Sequence, residues 1–293
     1  MAHPFFSIII PTYNREKFLL KTIKSFIDQT FSDFEIIIID DGGNDNSKAV
    51  VESFMDNRIQ YYWKQNGERG AARNYGAAKA KGQYFNFFDS DDIAYPNHLQ
   101  NGFDVLKTGN QSLMFLGYEF ADEQGNILST INDFKGDVLN DIINRNKRNL
   151  NSVFISNEAF NEIKFYENKL MAASEDTLLL IRLVARHKPV SVNIVTSAMI
   201  EHNNRSMVTA SEEQLLNRKK HLLENLRKDT IFMEKYSKSL LNINAEMDYL
   251  LSLSAYQSRD KRKAVKYFMQ YITDPSTTIF EKRTLVFLRK LVS

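Results

Sequence analysis

The 293-residue chain carries 38 basic and 36 acidic residues, a net charge of +2, with 43% hydrophobic and 25% charged positions. Those proportions belong to a globular protein with room for one large domain and a smaller appendage, and they leave no long disordered segment. The absence of cysteine excludes disulfides, a thiolate nucleophile and Cys-ligated zinc. No apolar run approaches the roughly 20 residues that cross a bilayer, and no signal-type apolar core follows a basic amino terminus, so a cytoplasmic location is expected.

In chain order, residues 6–10 form a short apolar run ended by Pro11. Residues 16–29 then set Phe18, Leu19, Ile23, Phe26 and Ile27 on one helical face. A second buried-strand run at 35–39 stops in Asp40-Asp41-Gly42-Gly43. Residues 48–55 read as a helix, 59–63 as a third strand and 70–80 as an Ala-rich helix. The next strand, 84–88, ends abruptly in Asp89-Ser90-Asp91-Asp92. Alternation at this spacing predicts an α/β fold with a mostly parallel sheet, right-handed crossovers and both faces covered.

Ligands of open α/β sheets bind at the carboxyl ends of the strands. Three such ends carry polar clusters here: Pro11-Thr12-Tyr13-Asn14, Asp40-Asp41 and Asp89-Ser90-Asp91. Crowded carboxylates oppose one another unless a cation offsets them, and hard cations such as Mg²⁺ or Mn²⁺ take carboxylate and phosphate oxygens together. A tyrosine beside Asp41 can stack on a base while the carboxylate accepts the imide N–H of uracil. Taken singly, Asp41 reads as a turn residue, Tyr13 as a packing residue and the acidic run as a helix-capping turn. Together they outline a slot for a nucleoside diphosphate. The turn after the first strand lacks the glycines of a dinucleotide fingerprint, which disfavours a nicotinamide dehydrogenase.

Ser7-Ile8-Ile9-Ile10-Pro11-Thr12-Tyr13-Asn14-Arg15, Ile38-Ile39-Asp40-Asp41-Gly42, Gly70-Ala71-Ala72-Arg73-Asn74-Tyr75-Gly76 and Phe88-Asp89-Ser90-Asp91-Asp92 resemble, in order and spacing, family 2 glycosyltransferases. The resemblance is strong over about residues 5–100 and weaker to about 210. It implies a GT-A fold, a nucleotide-sugar donor (a UDP-sugar by family habit), a divalent metal, Mn²⁺ or Mg²⁺, and inversion at the anomeric carbon. It also implies that Pro11, Thr12, Tyr13, Asn14 and Asp41 hold the nucleotide, with Arg73, Asp89 and Ser90 lining its site. Asp91, with Asp89, would be the metal ligand of the DxD motif. Arg73 can reach a phosphate or hold a carboxylate of the acidic cluster; its plainer reading is a surface arginine on an Ala-rich helix.

In the second half, Ser174 reads as the N-cap of a helix whose first turn holds Glu175 and Asp176. Family 2 members commonly place their base in such a Glu-Asp pair, and the resemblance singles out Asp176, with Glu175 as its neighbour. The strand-like run 190–195 and the extended segment 198–200 lead to His202. In relatives a histidine in a similar late segment closes over the diphosphate and touches the metal, and Arg205 is a weaker candidate there. A solvent-exposed loop histidine is the alternative.

Residues 211–236, 240–256, 262–272 and 279–291 read as successive helices. The domain expectation is therefore 1–210 for the GT-A unit, with 1–100 binding the nucleotide sugar and 101–210 holding acceptor and base, followed by helices over 211–293. From residue 259 onward, nine Lys or Arg face three Asp or Glu, a net +6. Such a run is ordinarily a solvated face. With Phe268, Phe280, Phe287 and Leu288 beside it, it also suits peripheral contact with the inner face of a membrane. No nucleic-acid motif is present. The expected activity is transfer of a sugar to a hydroxyl of a glycan or lipid-linked acceptor, as in envelope polysaccharide synthesis. A nucleotidyltransferase acting on sugar phosphates and a non-catalytic scaffold are the alternatives.

Overall fold

The computed structural model describes residues 3–134, 136–145, 148–202, 210–274 and 282–292. Its first half is β1 (Phe6–Thr12), α1 (Glu16–Ile27), β2 (Phe34–Asp40), α2 (Ser47–Glu52), β3 (Ile59–Trp63), α3 (Glu68–Lys79) and β4 (Tyr84–Phe87). These strands run parallel in the order β3-β2-β1-β4. Every residue of β1, β2 and β4 is buried, as strands covered on both faces must be. On one face, Leu19, Ile23 and Phe26 of α1 pack with Ile8, Ile10 and Phe88. On the other, α3 lies so close that a Cβ at Gly76 would sit 2.5 Å from Ile9 Cγ2 and 3.1 Å from Ile39 Cγ1.

The second half adds β5 (Ile93–Ala94), α4 (His98–Leu106), β6 (Leu113–Asp122), β7 (Ile127–Ile131), α5 (Val138–Arg145), β8 (Val153–Ser156), α6 (Asn157–Ile163), α7 (Glu175–Arg186) and β9 (Val190–Glu201). Here the sheet becomes mixed. β8 pairs antiparallel with β4 and β6, β6 runs parallel to β9, and β5 and β7 are short antiparallel additions. The run 190–195 and the segment 198–200 are one strand, joined across register shifts opposite Gly117. A side chain at Gly117 would meet the Ile194 carbonyl at 2.9 Å, so only glycine lets the irregular strand approach.

The helices that follow are α8 (Glu212–Lys228), α9 (Thr230–Tyr236), α10 (Ser239–Gln257), α11 (Lys261–Ile272) and α12 (Lys282–Val292). The single helix expected over 211–236 breaks at Asp229. Its carboxylate caps α9 through the Phe232 N–H (3.1 Å) and accepts hydrogen bonds from Arg182 (2.7 Å) and Arg186 (2.9 Å) of α7. Leu222, Leu226, Phe232, Ile243 and Met247 join α7 in the largest apolar cluster, whereas Phe268, Tyr271, Phe287 and Leu291 form a separate cluster farther along. Phe268 and Phe287 are therefore core residues rather than surface anchors, because each is only 3% exposed. Phe280 lies outside the described residues.

Candidate active site

The carboxyl ends of β1, β2 and β4 open into a cleft of about 490 Å³. Pro11, Thr12, Tyr13, Asp41, Arg73, Asp89, Ser90, Asp91 and Asp176 all line it. Asn14, Glu175 and His202 do not. Asn14 adopts a left-handed backbone (φ 52°) and accepts the Asn44 N–H at 2.8 Å, which ties the loop after β1 to the loop after β2. It shapes the loop instead of lining the cleft.

At the end of the cleft beside β1 and β2, Tyr13 is 50% exposed, which leaves its ring face available for stacking. Asp41 Oδ1 accepts from Lys64 Nζ (2.6 Å) and from the Gly67 N–H (2.9 Å), and its carbonyl accepts from Asn66 Nδ2 (2.9 Å). Sequence reasoning missed Lys64 and Asn66, which follow a strand end carrying no distinguishing motif. The neighbouring Asp40 is internal: it accepts from the Tyr61 hydroxyl (2.6 Å) and the Gly43 N–H (2.7 Å). Burial and that carboxylate together push the Tyr61 pKa up.

The acidic turn after β4 separates its three carboxylates by environment. Asp89 accepts from Arg73 at 2.9 Å. Asp91 Oδ2 lies 3.0 Å from His202 Nε2 and 3.7 Å from the Arg15 guanidinium. His202 stacks on Phe18, with ring centres 4.4 Å apart. Asp92 is fully buried and accepts from Asn151 Nδ2 (2.6 Å) and the Ile200 N–H (2.8 Å). One oxygen from each of these aspartates lies within 4.8 Å of the others. Hard carboxylate oxygens beside an imidazole fit Mn²⁺ or Mg²⁺. Asp92, with both oxygens engaged, anchors the turn, and Asp91 and Asp89 are the carboxylates of this cluster that line the cleft. Arg205 lies outside the described residues.

Asn151 is the hub behind this turn. Its Oδ1 accepts the Asp89 N–H (2.9 Å), its Nδ2 holds Asp92, and its carbonyl accepts from Asn86 (3.0 Å). Asn86 spends its amide hydrogens on the carbonyls of Asn151 and Val153, so its Oδ1 accepts from His98 Nε2 (3.3 Å). His98 Nδ1 then takes the Thr196 hydroxyl at 2.9 Å. Burial pushes the His98 pKa down to about 3, so this ring stays neutral. The one legible signal was Asn86 itself, a polar residue inside an apolar strand.

Arg73 crosses the site. Its guanidinium donates to Asp89 and to Glu175 (2.8 Å), and both Arg73 and Glu175 are buried. Of the two roles open to Arg73, holding carboxylates is the one this geometry supports. Glu175 is thereby committed to an ion pair, and Asp176 is the acid of the pair that faces the cleft. Burial, and then the neighbouring Glu175 charge, raise the Asp176 pKa against the opposing pull of Arg73. Ser174 precedes α7 without a side-chain cap bond. Ala173 (φ 64°) and Glu68 (φ 72°), both on the cleft wall, hold left-handed backbone conformations that are uncommon for non-glycine residues. α8 brings Arg218 near this end, where burial lowers its pKa while Glu175 and Asp176 oppose that shift.

The family described as Glycosyl transferase family 2 matches residues 7–167, more than half of the chain. An uncharacterized glycosyltransferase of Rickettsia felis is 30% identical over 228 residues, covering 72% of this chain and 37% of the relative. The chain spans 22–40% of the length of its Rickettsia relatives. Among solved structures, S. aureus TarS 1-349 in complex with UDP-GlcNAc superposes with a TM-score of 0.60 at 18% identity, covering 91% of this chain and 89% of that one. The mannosyltransferase PcManGT of Pyrobaculum calidifontis, in complex with GDP-Man and Mn²⁺, superposes at 0.58 with 11% identity, over 100% and 85%. At those identities the likeness speaks to the fold, which is of the GT-A type.

Proposed function

The chain belongs to glycosyl transferase family 2, and from that premise we propose a metal-dependent, inverting transfer of sugar from a UDP-sugar to a hydroxyl of a glycan or lipid-linked acceptor. The observation that carries this reading is the meeting of Asp41, Asp89, Asp91 and Asp176 in one cleft from three separate segments. Membership of this family argues against the nucleotidyltransferase alternative, and retention of Asp41, Asp89, Asp91 and the Glu175-Asp176 pair argues against a scaffold.

The residues divide the work by position. Tyr13 stacks on the base and Asp41 accepts the imide N–H, with Lys64 fixing its carboxylate. Asp91, with Asp89 and His202 beside it, would hold the cation, which when bound supplies positive charge to the departing diphosphate. Arg73 keeps Asp89 and Glu175 in place. Asp176, with a raised pKa, accepts the proton of the attacking hydroxyl. Attack from the Asp176 side, opposite the leaving diphosphate, inverts the anomeric centre. In this reading residues 1–100 hold the donor, 101–210 the acceptor and base, and 211–293 a supporting helical region.

The proposal extends to location. The basic end exposes Val265, Met269, Leu285, Val286 and Leu288, a combination suited to an anionic membrane surface on the cytoplasmic side. The primary test is UDP binding and UDP-sugar hydrolysis with and without EDTA. Wild type should lose both on chelation, and Asp91→Asn should lose turnover while melting normally. Equal activity with and without chelator would overturn the metal assignment.

A further inference from the structure

One wall of the cleft lies apart from the residues assigned above to nucleotide and metal. It is built where β6 runs parallel to β9, with Phe120 and Met199 as register partners. Side chains two apart on a strand share a face, so Tyr118 lies behind Phe120 and Glu201 beyond Met199. All four line the cleft. Tyr118 is 1% exposed and meets Phe120 edge-on, ring centres 5.7 Å apart at 63°. That contact fixes the Phe120 ring from behind, and Asn149 contacts the Met199 sulfur from the side. The end of β9 also touches the acidic turn, where the Ile200 N–H holds Asp92 and His202 reaches Asp91. A group resting on Phe120 and Met199 therefore lies beside the reacting end of the donor.

We propose that Phe120 and Met199 form the platform on which the acceptor sugar stacks, and that the acceptor presents a neutral pyranose at its reactive end. This rests on the transferase reading given above. A pyranose has an apolar face of C–H groups and a rim of hydroxyls. The aromatic and thioether wall matches the face, and Glu201 and Asn149 match the rim. A phosphate or carboxylate on the acceptor would need a free cation at this wall. Among the described residues, the cation at this wall is Arg148, which is 3% exposed and already bonded to Asp141 (2.9 Å) and Ser191 (3.1 Å), with its guanidinium over the Phe134 ring at 3.7 Å. Glu201 and Asp176 would repel such an anion.

The test uses the full chain, UDP-sugars as donors, and two acceptor series: p-nitrophenyl pyranosides and the corresponding sugar phosphates. UDP release without acceptor reports the donor site alone, and release with acceptor reports transfer. Phe120→Ala should raise the acceptor KM about tenfold, the scale of one aromatic stacking contact, and leave acceptor-free hydrolysis and UDP affinity unchanged. Phe120→Leu, which keeps apolar volume without the ring, should fall between, and Phe120→Tyr should restore the wild-type KM. Neutral pyranosides should be preferred to sugar phosphates. A Phe120→Ala effect on donor KM instead of acceptor KM overturns the proposal, as does faster transfer to sugar phosphates. Wild type that neither binds UDP nor hydrolyses any UDP-sugar sinks the donor assignment and the platform with it, whereas normal hydrolysis with an unmoved acceptor KM sinks the platform alone.

Discussion

Replacing Arg73 by Met tests whether the buried ion pair at the heart of the site works as inferred. Arg73 and Glu175 side chains are 3% and 4% exposed and 2.8 Å apart. Removing the arginine leaves a carboxylate buried without its cation, a loss of about 3–5 kcal/mol. The second arm, to Asp89, adds at most about 1 kcal/mol because that carboxylate is 30% exposed and solvent screens it. Glu175→Leu should cost less than Arg73→Met, since the arginine keeps Asp89. The double variant should cost well under the sum of the two, because Arg73 Nε and Glu175 Oε2 have no protein partner and the pair is not fully satisfied even in the native protein. Urea denaturation followed by circular dichroism on the four proteins gives the coupling energy directly. A value above about 1 kcal/mol is expected, whereas additivity within about 0.5 kcal/mol would refute the claim that these side chains stabilise each other.

Asp176→Asn should reduce turnover at least about a hundredfold with UDP affinity unchanged. Its stability effect should run the other way. Burial and Glu175 raise the folded pKa above the unfolded one, so the stability linked to protonated Asp176 is present below the unfolded value and is lost as pH rises through the folded value. At pH 7 the variant should therefore melt higher than wild type, an advantage that disappears in acid; a lower melting temperature at pH 7 would contradict the assigned shift. Asn151→Leu removes the hub behind the acidic turn and should weaken Mn²⁺ binding, measured by titration, about 10–100-fold, while Asn151→Ser, with a smaller polar side chain, should be milder; unchanged Mn²⁺ affinity in both would remove Asn151 from a positioning role. At low salt the protein should co-sediment with anionic vesicles and be released as salt screens the attraction. Failure to bind would return the basic helices to a plain solvated face.

The part of the site at the ends of β1, β2 and β4 was legible because it is built by rules local to each segment. Continuous apolar runs make buried strands, strand–helix alternation makes them parallel, and parallel strands bring their carboxyl ends to one edge. Thr12, Asp41 and Asp89 therefore had to become neighbours. The Asp229 cap and the irregular stretch opposite Gly117 were less visible, since each depends on a partner strand or helix that local periodicity does not name.

What the tertiary structure alone decided is which member of each acidic cluster is available for chemistry. Asp91 and Asp92 are adjacent and chemically identical, yet the Ile200 N–H and Asn151 amide consume Asp92 and leave Asp91 beside His202. Glu175 and Asp176 are likewise adjacent, and Arg73, 102 residues away, takes the first and leaves the second in the cleft. Composition and spacing determine that carboxylates gather at this edge. Long-range hydrogen bonds determine their roles, because the cost of burying a charge depends on the donors that meet it, and those donors come from β9, α3 and the segment before β8.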